Sequence, residues 1–384
     1  MFHWLYESFF DQWSPLRVLR YPSFRIVASI ATALLMTLIL YPWFIEKLRA
    51  KQVGEKIRDD GPEGHHKKAG TPTMGGILIV ITLVVSTLLW ARLDNPLVWL
   101  VLLVTIGYAC LGFLDDLAKL KGKPSGRRGL SERTKLIAQF GIASLALGIF
   151  VWGLDHTAMG YGPGEHLKLY FPFLRADWYY VLLPASVCAG LGIMVIVSTS
   201  NGVNLTDGLD GLAIGPVIIA AGTFLVLCYL AGFQIFVPKV MTEPVVVADI
   251  LRIPKIEDTV DLAVVCGSII GAGIGFLWYN THPATIFLGD VGSLSLGATL
   301  GAVAVFSKNE LLSLLIFGIF AVELLSSFIQ RVYFKATGGK RIFLMAPIHH
   351  HFEKKGWSEP QIVVRFWIIA VILSLISLMS LKLR

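Results

Sequence analysis

The sequence predicts an all-α, polytopic membrane protein with about ten transmembrane helices, and three observations predict it. Apolar runs long enough to cross a bilayer recur along the whole chain. Only 15% of the 384 residues are charged, against 55% hydrophobic, with a mean hydropathy of +0.69; a soluble domain carries about 25% charged residues. The basic residues are also sorted by loop instead of being spread over a surface. Disorder is excluded, because it requires low hydropathy. A membrane β-barrel is excluded as well: its strands alternate over ~10 residues, whereas these runs are continuously apolar.

The first twenty residues carry Trp4, Glu7, Asp11 and Trp13 and do not read as a cleavable signal peptide. Spans follow near residues 23–44, 75–91, 97–114, 135–153, 178–198, 212–231, 260–280, 291–307, 311–334 and 362–381. Residues 1–384 read as a single membrane-embedded domain without an internal repeat, so an inverted-repeat transporter finds little support.

Orientation follows from the loops. The loop after the first span holds Lys47, Arg49, Lys51, Lys56, Arg58, Lys67 and Lys68, and the one after the third holds Lys119, Lys121, Lys123, Arg127, Arg128, Arg133 and Lys135. Arg331, Lys335, Lys340, Arg341, Lys354 and Lys355 precede the last span. By the positive-inside rule these loops are cytoplasmic, which places both termini in the periplasm. The net charge of +7 thus reflects topology and implies no nucleic-acid partner. The outer loop at 154–177 shows a weak alternation at His166, Lys168 and Tyr170 that fits a short hairpin. Cys110, Cys188, Cys228 and Cys266 lie in apolar stretches without metal or redox spacing.

The carboxylates carry the functional signal. Asp115-Asp116 ends the third span, Asp207 and Asp210 lie between spans five and six, and Asp290 lies between spans seven and eight. All fall on the basic face. Carboxylates at a membrane edge cost free energy unless they pair or hold a cation, and beside lysines they suit a phosphorylated ligand with a divalent metal. An Asp-Asp pair can be a solvated helix end, yet acids at a helix C-terminus oppose the macrodipole; they can hold Mg²⁺, or one can act as a base. In NGVNLTDGLDGLA an N-cap explains one Asp, not five polar side chains among three glycines ahead of an apolar helix. There glycines admit a ligand to the backbone and the helix N-terminus suits an anion. In FLGDVGS a cap and a metal ligand are compatible roles for Asp290. The string His349, His350, His351 with Glu353 could bind zinc, but adjacent residues do not share a helix face, and phosphate contact is the alternative. KKAGTPTMGG sets Lys68 and Thr71 before a helix without forming a P-loop. Glu323, inside a span, is a functional suspect by its burial alone.

Taken together, GTPTMGG, LGFLDD, NLTDGLDG, NTHPATIFLGDVGS and MAPIHHHFE, in this order, resemble the phospho-N-acetylmuramoyl-pentapeptide-transferase family, the MraY translocases. These belong to the wider polyprenyl-phosphate N-acetylhexosamine-1-phosphate transferases. The resemblance covers nearly the whole chain. It implies that UDP-MurNAc-pentapeptide and undecaprenyl phosphate give lipid I and UMP, with Mg²⁺ as cofactor, in a bacterial inner membrane and generally in a homodimer. It further implies a metal ligand at Asp290, a catalytic pair at Asp115 and Asp116 with Asp115 as base or metal partner, and His349 and His350 near the sugar or diphosphate. Nucleotide contacts carry over to Lys68, Asn204, Asp207, Gly208, Leu209, Asp210, Asn280 and Phe287, with Phe287 stacking on uracil. Thr71, Lys135 and Gln330 are further substrate-binding candidates. Three rival readings remain at this level: a sister transferase using UDP-N-acetylglucosamine, a cation-coupled transporter relaying through Asp115, Asp290 and Glu323, and a zinc hydrolase built on the histidines.

Overall fold

The computed structural model describes residues 1–9, 14–50, 70–121, 129–156, 161, 164–235 and 245–381. A short helix α1 (Phe2–Phe9) and a 3₁₀ segment (Ser14–Arg20) precede α2 (Pro22–Ala50). Then come α3 (Gly76–Trp90), α4 (Pro96–Lys121), α5 (Glu132–Gly148, continued as a π turn to Gly153), α6 (Ala185–Thr206) and α7 (Ile214–Gly232). The second half holds α8 (Val247–Leu251), α9 (Thr259–Asn280), α10 (Gly289–Phe306), α11 (Glu310–Ile316), α12 (Gly318–Ala336), α13 (Ile348–Lys354) and α14 (Glu359–Met379).

Eight of these helices are long and apolar enough to cross a membrane, nine if the α11–α12 pair counts as one span. The expected tenth, α3, has 15 residues, about 22 Å of helix, short of a ~30 Å hydrocarbon core. Two further departures are local. The span expected from residue 178 starts at Ala185, because β2 (Tyr180–Leu182) pairs antiparallel with β1 (Lys168–Tyr170), so the hairpin expected within 154–177 has its second strand beyond that loop. The ninth span breaks at Phe317, where α11 and α12 diverge by 83°. A second small hairpin joins β3 (Gln234–Ile235) to β4 (Val245–Val246).

Nearly every side chain of α9 and α10 is buried, and the other spans ring these two. α9 packs on α2, α7 and α3, while α10 packs on α4, α6 and α3. Small residues permit this closeness. Gly267, Gly271 and Gly275 recur every four residues along α9, and a side-chain carbon at any of them would lie 2.2–2.6 Å from Ser29, Ile30 or Thr37 of α2. At one end of the bundle Arg25 and Arg92 bind the buried Asp261. The same end holds Met1 and Leu381: the Met1 amine donates to the Leu88 carbonyl, and Leu381 packs on Ala231, Ala248 and Ile253. The acidic motifs gather at the opposite end.

Candidate active site

α4 continues to Lys121, so Asp115 and Asp116 are helical residues, not a terminus. Lys119 then falls three and four positions on, the spacing that aligns side chains on one helix face. The close approach of α4 and α10 brings Asp290, in the first turn of α10, to the same point. Carboxylate oxygens of Asp115, Asp116 and Asp290 lie within 4.8 Å of one another. Lys119 Nζ sits 2.9 Å from Asp115, 3.3 Å from Asp116 and 2.8 Å from Asp290. Lys135, from the first turn of α5, reaches Asp115 at 2.6 Å and Asp290 at 3.0 Å. Two ammonium groups therefore bridge three carboxylates.

Backbone and amide donors fix the acids. The Leu130 amide donates to Asp115 Oδ1 at 2.7 Å, just before Ser131 caps α5. The Val291 amide donates to Asp116 Oδ2 at 3.2 Å, so an acid from α4 meets the electropositive start of α10. Gly289 makes the turn into α10 at φ +73°, a left-handed conformation that favours glycine. Asn204 Nδ2 on α6 donates to Asp290 Oδ1 at 3.1 Å and to Ser293 Oγ at 2.9 Å. The cluster is thus built from four helices, and three hard oxygen donors of this kind could hold a divalent cation.

Beside it lies a second polar layer. The buried Asp210 accepts from the Ala284 amide at 3.1 Å and sits 3.1 Å from His282 Nδ1. Its own amide donates to Glu359 at the start of α14. Asn280 accepts from the Gly211 amide and donates to the Ile286 carbonyl, tying the 207–211 loop to the 281–288 loop. That second loop pairs with the segment before α3: the Phe287 amide donates to the Pro72 carbonyl and the Gly75 amide to the Phe287 carbonyl, each at 2.8 Å.

The comparisons with known proteins fall on these residues. The family model for glycosyl transferase family 4 matches residues 98–308, and phospho-N-acetylmuramoyl-pentapeptide-transferase signature 1 matches residues 68–80. A phospho-N-acetylmuramoyl-pentapeptide-transferase of Sorangium cellulosum (strain So ce56) is 52% identical over 369 residues, 96% of this chain and 95% of the relative. Those of Desulfotalea psychrophila (strain LSv54 / DSM 12343) and Geobacter sp. (strain M21) are 45% and 47% identical, over the full length of both chains. The chain belongs to the phospho-N-acetylmuramoyl-pentapeptide-transferase family. It is an enzyme, a phosphoglycosyl transferase of the membrane.

Within that family frame, the sequence-derived candidates separate into groups. Asp115, Asp116, Asp290, Lys135 and Asn204 converge directly. Asp210 and Asn280 spend hydrogen bonds on loop structure, Leu209 is buried, and Asp207, Gly208 and Phe287 are half-buried around them. Thr71 precedes the Pro72–Phe287 pairing; Lys68 lies outside the described residues. The histidines of α13 fan apart: His349 pairs with Glu323, His350 with Glu353, and His351 Nδ1 accepts from the Leu344 amide. They do not converge on one metal. Gln330 bonds the backbone of Ile342 and Phe343. Lys119, Ser293, His282 and Glu359 were not singled out by sequence reasoning as site residues. The i+3 and i+4 spacing from Asp116 and Asp115 was a legible signal for Lys119; Glu359 looks like an ordinary first-turn acid and carried none.

Proposed function

We propose that this chain transfers phospho-MurNAc-pentapeptide from UDP-MurNAc-pentapeptide to undecaprenyl phosphate, giving lipid I and UMP, at the cytoplasmic face of a bacterial inner membrane. The observation that carries the reading is the junction of Asp115, Asp116 and Asp290 with Lys119 and Lys135, where four spans end together. Such a junction can receive a water-soluble diphosphate and a lipid phosphate at once. The basic residues on that face support the cytoplasmic orientation, with both termini periplasmic.

The donor set fits Mg²⁺, a hard cation that prefers carboxylate oxygens; Asp290 and Asp115 are its proposed ligands, with Asp116 beside them. When bound, Mg²⁺ offsets charge on the diphosphate oxygens. Lys119 and Lys135 bind phosphoryl oxygens and hold the two phosphates for in-line attack. The lipid phosphate needs little deprotonation, because its second pKa is near 6. Asp115 therefore orients the acceptor and its lysines more than it abstracts a proton. Lys68, Thr71, Asn204, Asp207, Gly208, Leu209, Asp210 and Asn280 form the proposed nucleotide side, with Phe287 stacking on the uracil ring. His349, His350 and Gln330 face the sugar and peptide side. The family resemblance adds a homodimer.

The acids of the cluster stand within two helical turns of a span end, as an interfacial enzyme requires, whereas Glu323 is bonded to His349 instead of to a relay. The deciding experiment presents purified protein in lipid nanodiscs with undecaprenyl phosphate and, separately, UDP-MurNAc-pentapeptide and UDP-N-acetylglucosamine. Lipid I and UMP are expected from the first donor. Transfer from UDP-N-acetylglucosamine alone would overturn the reading.

A further inference from the structure

Glu323 lies inside α12, not at its end, and its carboxylate is fully buried. A buried acid in a span is expensive unless it is partnered. Its Oε2 lies 3.1 Å from Nδ1 of His349, which is itself buried. On the other side of the ring, His349 Nε2 has no hydrogen-bond partner among the described residues. That nitrogen lies over Gly208, where a side-chain carbon would sit 2.3 Å from it. Gly208 lies in the turn just past the end of α6, four residues after Asn204, and Asn204 donates to Asp290 Oδ1. The ring nitrogen thus faces the segment that leads to the acidic cluster.

Beside the ring lies His350, with ring centroids 4.1 Å apart and its own Nδ1 bonded to Glu353; Asp207 immediately precedes Gly208. A carboxylate that accepts from Nδ1–H fixes the orientation of the ring, and Nε2 donates as well when the ring carries a proton on both nitrogens. Resting on the transferase reading above, we propose that Glu323 is a positioning residue: it holds His349, as the doubly protonated imidazolium, so that Nε2–H donates to the phosphoryl oxygen that gains charge as UMP leaves. In that step a lipid-phosphate oxygen forms a bond to the phosphorus carried on the sugar. The phosphoanhydride P–O bond breaks, and its electron pair stays on UMP. A donor aimed at developing charge acts mainly on kcat.

The test measures steady-state transfer by the full-length protein in nanodiscs. Glu323→Gln keeps the shape and removes the charge; kcat should fall about tenfold to a hundredfold, with KM for the UDP donor held within about threefold. His349→Ala should lose as much, and the double variant no more than His349→Ala alone. Glu323→Asp should recover part of kcat. Wild-type kcat in Glu323→Gln, or losses that multiply in the double variant, would overturn the proposal. Should Glu323→Gln fail to fold, Gly208→Ala displaces the ring from the opposite side. Its kcat loss should vanish in the His349→Ala background, and an unchanged kcat would equally overturn the proposal. No lipid I from the unsubstituted protein would instead sink the transferase reading.

Discussion

Lys119 Nζ lies 2.8 Å from Asp290 Oδ1, linking α4 to α10 at the end of the bundle. The same ammonium touches Asp115 and Asp116, so a single side chain neutralises part of three carboxylates that would otherwise repel. Lys119 is also the more exposed of the two lysines, its side chain 40% accessible against 23% for Lys135. A flexible, partly exposed ammonium can turn from carboxylates to an arriving phosphate; a buried one cannot.

Lys119→Met keeps the aliphatic stem and removes the charge. It should lower kcat about a hundredfold to a thousandfold, the scale seen when one preorganised charge or donor is lost. Thermal stability should change little, because Lys135 still bridges Asp115 and Asp290. Steady-state lipid I synthesis beside a thermal melt in detergent checks both halves. Wild-type turnover would show that Lys119 merely solvates the cluster.

Asp290→Asn tests the metal assignment. The substitution preserves volume and one oxygen acceptor, so the hydrogen bond from Asn204 can persist. It removes a charge from the proposed Mg²⁺ set, and transfer should drop by at least about a thousandfold. Chelation with EDTA should silence the unsubstituted enzyme, and added Mg²⁺ should restore it. Residual Asp290→Asn activity should require more Mg²⁺ for half-maximal rate. A variant with unaltered Mg²⁺ dependence would remove Asp290 from the ligand set.

Much of this was legible in the sequence for a physical reason. Helices in a bilayer satisfy their own backbone, so apolar length alone located nearly every span, and scarce carboxylates stood out against it. Asp115, Asp290 and Asn204 could be nominated one by one, since each breaks an apolar pattern. What stayed hidden depended on where helices stop. Ending the third span at residue 114 left Lys119 in a loop, whereas α4 runs on to Lys121 and turns Lys119 back onto Asp115. The break at Phe317 was invisible because the residues on both sides are equally apolar. The pairing of Glu323 with His349 joins separate elements, α12 and α13, and no local spacing encodes it.

The end of the bundle opposite the acidic cluster supplies a pH prediction. The rings of His156 and His166 stack with centroids 3.5 Å apart and planes 9° from parallel. Burial, then the neighbouring His156 and Lys308, pushes His166 down to about 4 from its ordinary value of 6.5. The unfolded chain therefore binds a proton more readily than the folded one between those values, and stability falls as pH drops from about 6.5 towards 4. The melting temperature should decline across that window, and His166→Phe should flatten part of the decline. The Lys308 contact is to the His166 carbonyl and survives the change. An identical pH profile in the variant would remove His166 as its source.

Gly76 and Gly292 set how closely α3 meets α10. A side-chain carbon on Gly76 would lie 2.1 Å from the Gly292 amide nitrogen and 2.2 Å from its Cα. Both are backbone atoms, so no rotamer change relieves the clash. The Gly76 amide also donates to the Leu288 carbonyl at 2.8 Å, two residues before Asp290. Gly76→Ala must push the start of α10 away, at a cost of about 1–3 kcal/mol or more for overpacking. A lower melting temperature and a lower kcat should appear together, because the displaced turn carries Asp290 with it. Gly190→Ala on α6 is the control: nothing lies within 4 Å of the added carbon, and alanine is the better helix former by up to about 1 kcal/mol. It should match or exceed the unsubstituted protein in stability and leave transfer unchanged. Equal behaviour of the two variants would mean that α3 and α10 can separate without moving the acidic cluster.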